Sequence, residues 1–178
     1  VGHHLHKKDL ENDTEAHEAA DVAGADSSST DYVGAQLFAE SGNPQARMNA
    51  LTVWALRSEN ADRFSRLAAF YRGHFRLTEP LWAYRAGLER RPSSSKLWRE
   101  MATLLALIRE PANSHKAWLK AADQASKSAD ASSPKGHEIL VAGAEELRRA
   151  GYRQQALSLF REAVAQAPTD PGVLEGYG

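Results

Sequence analysis

A chain of 178 residues with 22 Lys and Arg against 23 Asp and Glu has a formal net charge of −1, so neither a strongly basic nucleic-acid binder nor an acidic polyelectrolyte is indicated. The absence of cysteine excludes disulfides, thiolate nucleophiles and Cys-based zinc sites. Hydrophobic residues make up 42%, enough for a continuous core, yet no run approaches the roughly 18 to 20 apolar residues of a membrane helix, so direct membrane insertion is not expected.

The charge is unevenly spread. Residues 1–31 hold eight acids (Asp9, Glu11, Asp13, Glu15, Glu18, Asp21, Asp26 and Asp31) against Lys7 and Lys8, about −6, which leaves about +5 for the rest. The run from Ala23 to Ser29 buries too little to offset chain entropy, so residues 1–26 read as an acidic, disordered arm or linker. This stretch lacks the apolar core of a signal peptide, and the sequence leaves cytoplasm and periplasm equally open. His3, His4, His6 and His17 fall in the arm, and the HHLH run reads as the remainder of a tag, so no metal site is expected there.

Residues 27–60 form a first helical pair, Asp31–Glu40 and Pro44–Arg57, joined at Ser41-Gly42-Asn43, with Ala46, Ala50, Val53 and Trp54 at packing places. Residues 61–94 repeat the layout more clearly. Phe64, Leu67, Ala68 and Tyr71 mark its first helix, and Leu81, Tyr84, Gly87 and Leu88 its second. Pro80 falls in the first turn of that second helix, where proline is tolerated, and Pro92 follows its end.

Residues 95–136 form a longer unit, with Trp98, Met101, Ala102 and Leu105 in one helix and Ala117, Trp118, Ala121 and Ala125 in the next. Its turn, Glu110 to Ser114, and its exit, Ala129 to Pro134, both read as extended. Residues 137–170 are the clearest unit. Leu140, Ala144 and Leu147 give a buried stripe, Gly151 reverses the chain, and Ala156, Leu157, Phe160 and Val164 pack the second helix before Pro168 ends it. Residues 171–178 read as the opening of a further repeat in a longer chain, and Val173 and Leu174 would be exposed if the chain stopped there. No segment alternates with period two over a strand's length, so the fold class is all-α.

The recurrence of an aromatic, a glycine turn, an Ala–Phe–Ala face and a closing proline resembles the tetratricopeptide repeat, a helix-turn-helix unit of about 34 residues. The resemblance covers about residues 27–178, with 95–136 roughly eight residues too long. It implies a right-handed helical solenoid whose first helices line a concave face, no catalytic activity and no cofactor. Carried onto that face residue by residue, it places Ser28, Asp31, Ala35 and Phe38; Asp62, Ser65, Ala69 and Arg72; Lys96, Arg99, Thr103 and Ala106; and Glu138, Val141, Glu145 and Arg148.

Arg66, Arg72, Lys96 and Arg99 then give the groove a basic centre, with Phe38 and Arg148 towards its ends, and clustered guanidinium groups suit the carboxylates of an acidic peptide. The plain alternative is that these are solvated arginines. The subclass that grips a chaperone's terminal carboxylate uses asparagines where this chain has Ser65, Ala69 and Glu100, which argues against that role. LWAYRAGLERRP and SKLWREM are also similar to half-a-tetratricopeptide repeats, but too few stacking rings can be placed for RNA reading, so no nucleic-acid partner is expected. Trp98 is expected in the core, while Trp82 and Trp118 could fill it or anchor a neighbour.

The expected function is a non-catalytic protein-interaction scaffold, with homodimerisation through the repeat ends as a second mode. The alternative is a regulatory or recruiting segment of a larger enzyme or of a bacterial exopolysaccharide secretion machine.

Overall fold

The computed structural model describes residues 60–73 and 76–177, together with Thr52 and Ala55. The expected arm 1–26, nearly all of the unit 27–60, and Phe38 lie outside the described residues. Contacts divide the chain between Glu59 and Asn60, and the unit Asn60–Gly178 carries the seven described helices. They are α1 (Ala61–Gly73), α2 (Thr78–Arg90), α3 (Ser95–Leu107), α4 (Pro111–Ser126), α5 (Gly136–Arg149), α6 (Arg153–Gln166) and α7 (Pro171–Tyr177). There is no strand among the described residues.

Each helix packs against the next, and α1, α3, α5 and α7 also touch in succession. This is a stack of helical hairpins, in which each repeat needs its neighbours to bury its apolar stripe. Phe64, Leu67 and Ala68 of α1, Leu97, Ala102 and Leu104 of α3, and Leu140, Ala144 and Leu147 of α5 are all fully buried.

The turns follow local chemistry. Asn60 Oδ1 accepts the Asp62 N–H at 2.9 Å to start α1, and Ser94 Oγ accepts the Leu97 N–H at 3.3 Å to start α3. Glu138 reaches back to the Lys135 N–H at 3.4 Å, and Asp170 Oδ1 takes the Gly172 and Val173 N–H groups at 2.9 and 3.3 Å to open α7. Gly151, at φ 89°, turns the chain between α5 and α6 in a backbone region that costs other residues strain.

Four expectations are corrected. Pro111 begins α4 rather than extending a loop, because its fixed φ and missing N–H suit the first helical position; the turn shrinks to Ile108–Glu110, with Arg109 at φ 64°. The added length of the third repeat therefore sits in its exit, residues 127–135. Trp98 is only half-buried, its indole donating to the Pro92 carbonyl at 3.0 Å, and Leu97 takes the core place one residue earlier. Leu157 points outward and Leu159 fills the α6 core with Ala156, Phe160 and Ala163. Val173 of α7 is buried, while Leu174 of the same helix is exposed.

One buried polar group ties a hairpin together. Ser114 of α4 is fully buried and donates to the Ala102 carbonyl of α3 at 2.7 Å, so it occupies a place that needs a small side chain without leaving its hydroxyl unsatisfied. A second close approach joins α4 to α5. A Cβ at Gly143 would lie 2.4 Å from the Trp118 ring.

Gly143→Ala should therefore destabilise the chain by about 1–3 kcal/mol, overpacking outweighing alanine's better helix propensity. Gly73→Ala, where a Cβ meets nothing within 4 Å, should be neutral or slightly stabilising. Urea unfolding of the two variants and the parent measures the contrast.

Candidate functional site

The face made by α1, α3 and α5 is laced by polar links between successive first helices. Lys96 Nζ of α3 lies 2.7 Å from Asp62 Oδ1 of α1, 34 residues away, so the repeat interval is written directly into an ion pair. Ser65 Oγ donates to Glu100 Oε1 at 2.8 Å, and Thr103 Oγ1 donates to the Glu146 carboxylate of α5 at 3.2 Å. The Lys96 hydrogen bond holds the Asp62 carboxyl below the usual carboxylate range, helped by the charges of Lys96 and Arg66. Both partners of that pair are half-exposed, so it adds little stability.

Between α3 and α5 this face opens into a cleft of about 440 Å³. Lys96, Arg99, Glu100 and Thr103 line its α3 wall, and Glu138, Ile139 and Ala142 its α5 wall. Trp118 reaches it from α4 and Pro134 closes it from the exit loop. Trp118 is 4% exposed and its ring packs closely on Gly143, so the floor is apolar. Three buried polar atoms on these residues make no hydrogen bond within the protein: Arg99 Nε, Glu100 Oε2 and Trp118 Nε1. Buried donors and acceptors without partners are rare in folded proteins, and here three of them belong to one cleft.

Of the residues expected to bind a partner, Lys96 and Arg99 share the cleft. Arg66 stands on α1 beside Asp62, and Arg72, also on α1, hydrogen-bonds the Tyr84 phenol. Neither lines the cleft. Arg148 pairs with Glu145 on its own helix and also lies outside it. The bases do not stand alone, because Asp62, Glu100 and Glu138 come with them.

Sequence reasoning missed Trp118, Pro134, Ile139 and Ala142 as lining residues. A bulky aromatic in one helix facing a glycine in the next was the signal for the first. Pro134 had none, since it reaches the cleft only through the lengthened exit. Among the described residues no group of three His, Asp or Glu could hold a metal, and no helix is long and apolar enough to cross a membrane. His137, placed at a helix end by the sequence, lies 3.3 Å from Asp170.

No protein-family model and no curated protein matches the chain. Solved structures do. YrrB, described as a TPR protein with an unusual peptide-binding site, superposes with a TM-score of 0.51 at 14% identity over 94% of this chain and 83% of that one. MamA gives 0.54 at 12% identity over 92% and 86%. A tetratricopeptide repeat protein from Parabacteroides merdae gives 0.51 at 16% identity over 97% and 66%. With its stack of hairpins, the chain is an all-α helical-repeat protein. Its repeats have the tetratricopeptide fold.

Tyr84 of α2 sits behind this face, 2% exposed. Burial pushes its phenol up to about 12, the Glu100 charge adds to the effect, and Arg72 opposes it. An unfolded tyrosine ionises near 10, so the folded state keeps a proton that the unfolded state releases, and stability falls as pH rises from 10 to 12. Tyr84→Phe should remove roughly 2–3 kcal/mol of that alkaline loss, seen as a smaller drop in the urea midpoint of the variant than of the parent over this range.

Proposed function

We propose that the chain is a non-catalytic protein-interaction scaffold that holds an extended segment of a partner protein in the cleft between α3 and α5. The observation that carries this reading is the cleft itself: an apolar floor of Trp118, Ile139 and Ala142 beneath a polar rim, built from the first helices of successive repeats. Such a surface accepts a side chain on its floor while the rim meets the main chain. The likeness to YrrB, itself described as peptide-binding, supports the same mode.

Charge selects weakly at the cleft, where Lys96 and Arg99 face Glu100 and Glu138. Acidic residues flanking the held segment would instead meet Arg66 and Arg72 along α1. Arg148, engaged with Glu145, is left out of the proposed contact, and nothing described bears on Phe38.

The test is selection of binding peptides from a random displayed library against the full chain, followed by affinity measurement with Ala142→Trp. Ala142 is exposed, so the larger ring fills the cleft without disturbing the core. Peptides selected by the parent should bind this variant at least about tenfold more weakly. Arg161→Ala, on the exposed side of α6, should bind them unchanged. Equal binding by Ala142→Trp would move the contact elsewhere, and a chain that selects no peptide at all is not a peptide scaffold.

A further inference from the structure

The two edges of the stack differ in chemistry. Lys96 with Asp62, Ser65 with Glu100 and Thr103 with Glu146 join the first helices at matching places, and His115 Nε2 lies 2.9 Å from Ser158 Oγ between α4 and α6. The turns within hairpins, α1 to α2, α3 to α4 and α5 to α6, therefore stand along one edge, and the connections between hairpins along the other. Those connections, residues 91–94, 127–135 and 167–170, contain no large hydrophobic side chain.

The turn edge is apolar and basic together. Leu77 and Leu107 are exposed there, and Leu107, at 56%, is more exposed than any other large hydrophobic among the described residues. Arg109, Arg149 and Arg153 stand at the same turns, all exposed and none in an ion pair among the described residues. Arg76 and Arg148 are matched by Glu79 and Glu145, and Glu146 is held by Thr103. Against the three unmatched bases stands Glu110, which accepts from Asn113 at 3.0 Å.

Arg109 is also strained. Its φ of 64° lies in the left-handed region, and the equivalent place of the next hairpin is filled by Gly151 at φ 89°. The same bond closes both turns: the Glu110 N–H reaches the Leu105 carbonyl at 2.8 Å, and the Tyr152 N–H reaches the Leu147 carbonyl at 2.8 Å. Glycine would serve this turn without strain, so what the chain keeps at 109 is the arginine side chain.

A soluble polyanion answers the arginines alone and leaves the leucines in water. An anionic bilayer answers both, its phosphates meeting guanidinium groups and its acyl boundary meeting leucine. Neither described cavity is lined by these residues, and a bilayer needs no pocket to receive a row of turns. We propose that the turn edge is a membrane-docking surface, on which the chain lies against an anionic phospholipid bilayer through Arg109, Arg149, Arg153, Leu77 and Leu107 without spanning it. The cleft between α3 and α5 shares no residue with this edge, so the proposal stands apart from the scaffold reading.

The experiment is sedimentation of the full chain at low salt with phosphatidylcholine vesicles, alone or with about one-third phosphatidylglycerol. The chain should sediment with the anionic vesicles and stay in solution with the neutral ones. Arg109→Gly removes a base while relieving the backbone, so a folding defect cannot explain a loss; it should weaken partition about fivefold. Leu107→Ser should weaken it about threefold or more. Lys127→Gln removes the same charge from the opposite edge and should change partition less than about twofold.

A chain that ignores anionic vesicles overturns the proposal, as do equal losses in Arg109→Gly and Lys127→Gln, which would reflect net charge and not this edge. Vesicle binding undiminished in Leu107→Ser overturns the leucine contact and with it the choice of a bilayer. Capture by soluble polyglutamate with the vesicles left bare makes the edge a surface for acidic proteins instead.

Discussion

The close seating of Trp118 on Gly143 is the contact on which the site depends. An indole has no room against a helix that carries a Cβ at that point, so the glycine lets α5 come down onto α4. That approach sets how far α5 stands from α3, since α3 is fixed to α4 by Ser114 and the Ala102 carbonyl, and by Ser95 donating to the Ala121 carbonyl at 2.9 Å. The width of the cleft follows from these three contacts. Its floor is thus a core residue serving a second purpose, and a shift of α5 by even a side-chain radius would close or flood it.

Polar links across the first helices then fix the register along the stack. Apolar packing between helices tolerates sliding and rotation of a few degrees, whereas a hydrogen bond between named atoms does not. Asp62 with Lys96, Ser65 with Glu100 and Thr103 with Glu146 each join one repeat to the next. None contributes much stability at a half-exposed surface. Together they give the face one arrangement of its charges, with the acids interleaved among the bases.

Much of this was legible in the sequence because helical repeats announce themselves by period. Leu140, Ala144 and Leu147 could be placed in the core from spacing alone, as could the chain reversal at Gly151. Errors of one or two residues arose where two large apolar residues compete for one place: Leu97 won over Trp98, and Leu159 over Leu157. Spacing names a stripe about two residues wide, and only packing decides which member points inward. Pro111 was misplaced because proline marks both turns and helix starts. The site was the least legible part. The resemblance had put Lys96 and Arg99 on the concave face, and both line the cleft, but the unpaired atoms of Arg99, Glu100 and Trp118 are a property of three-dimensional surroundings that no spacing encodes.

The exit at residues 127–135 is the longest connection between described helices. α4 and α5 are joined by an exposed segment whose described hydrogen bonds centre on Asp130 and the serines around it. The cleft spans this connection, with α3 on one side and α5 on the other. On the proposed reading, a partner segment touching both walls would tie α3 to α5 across it. By linkage, whatever binding energy such a segment gained from both walls would then favour the spacing of α3 and α5 that it fits.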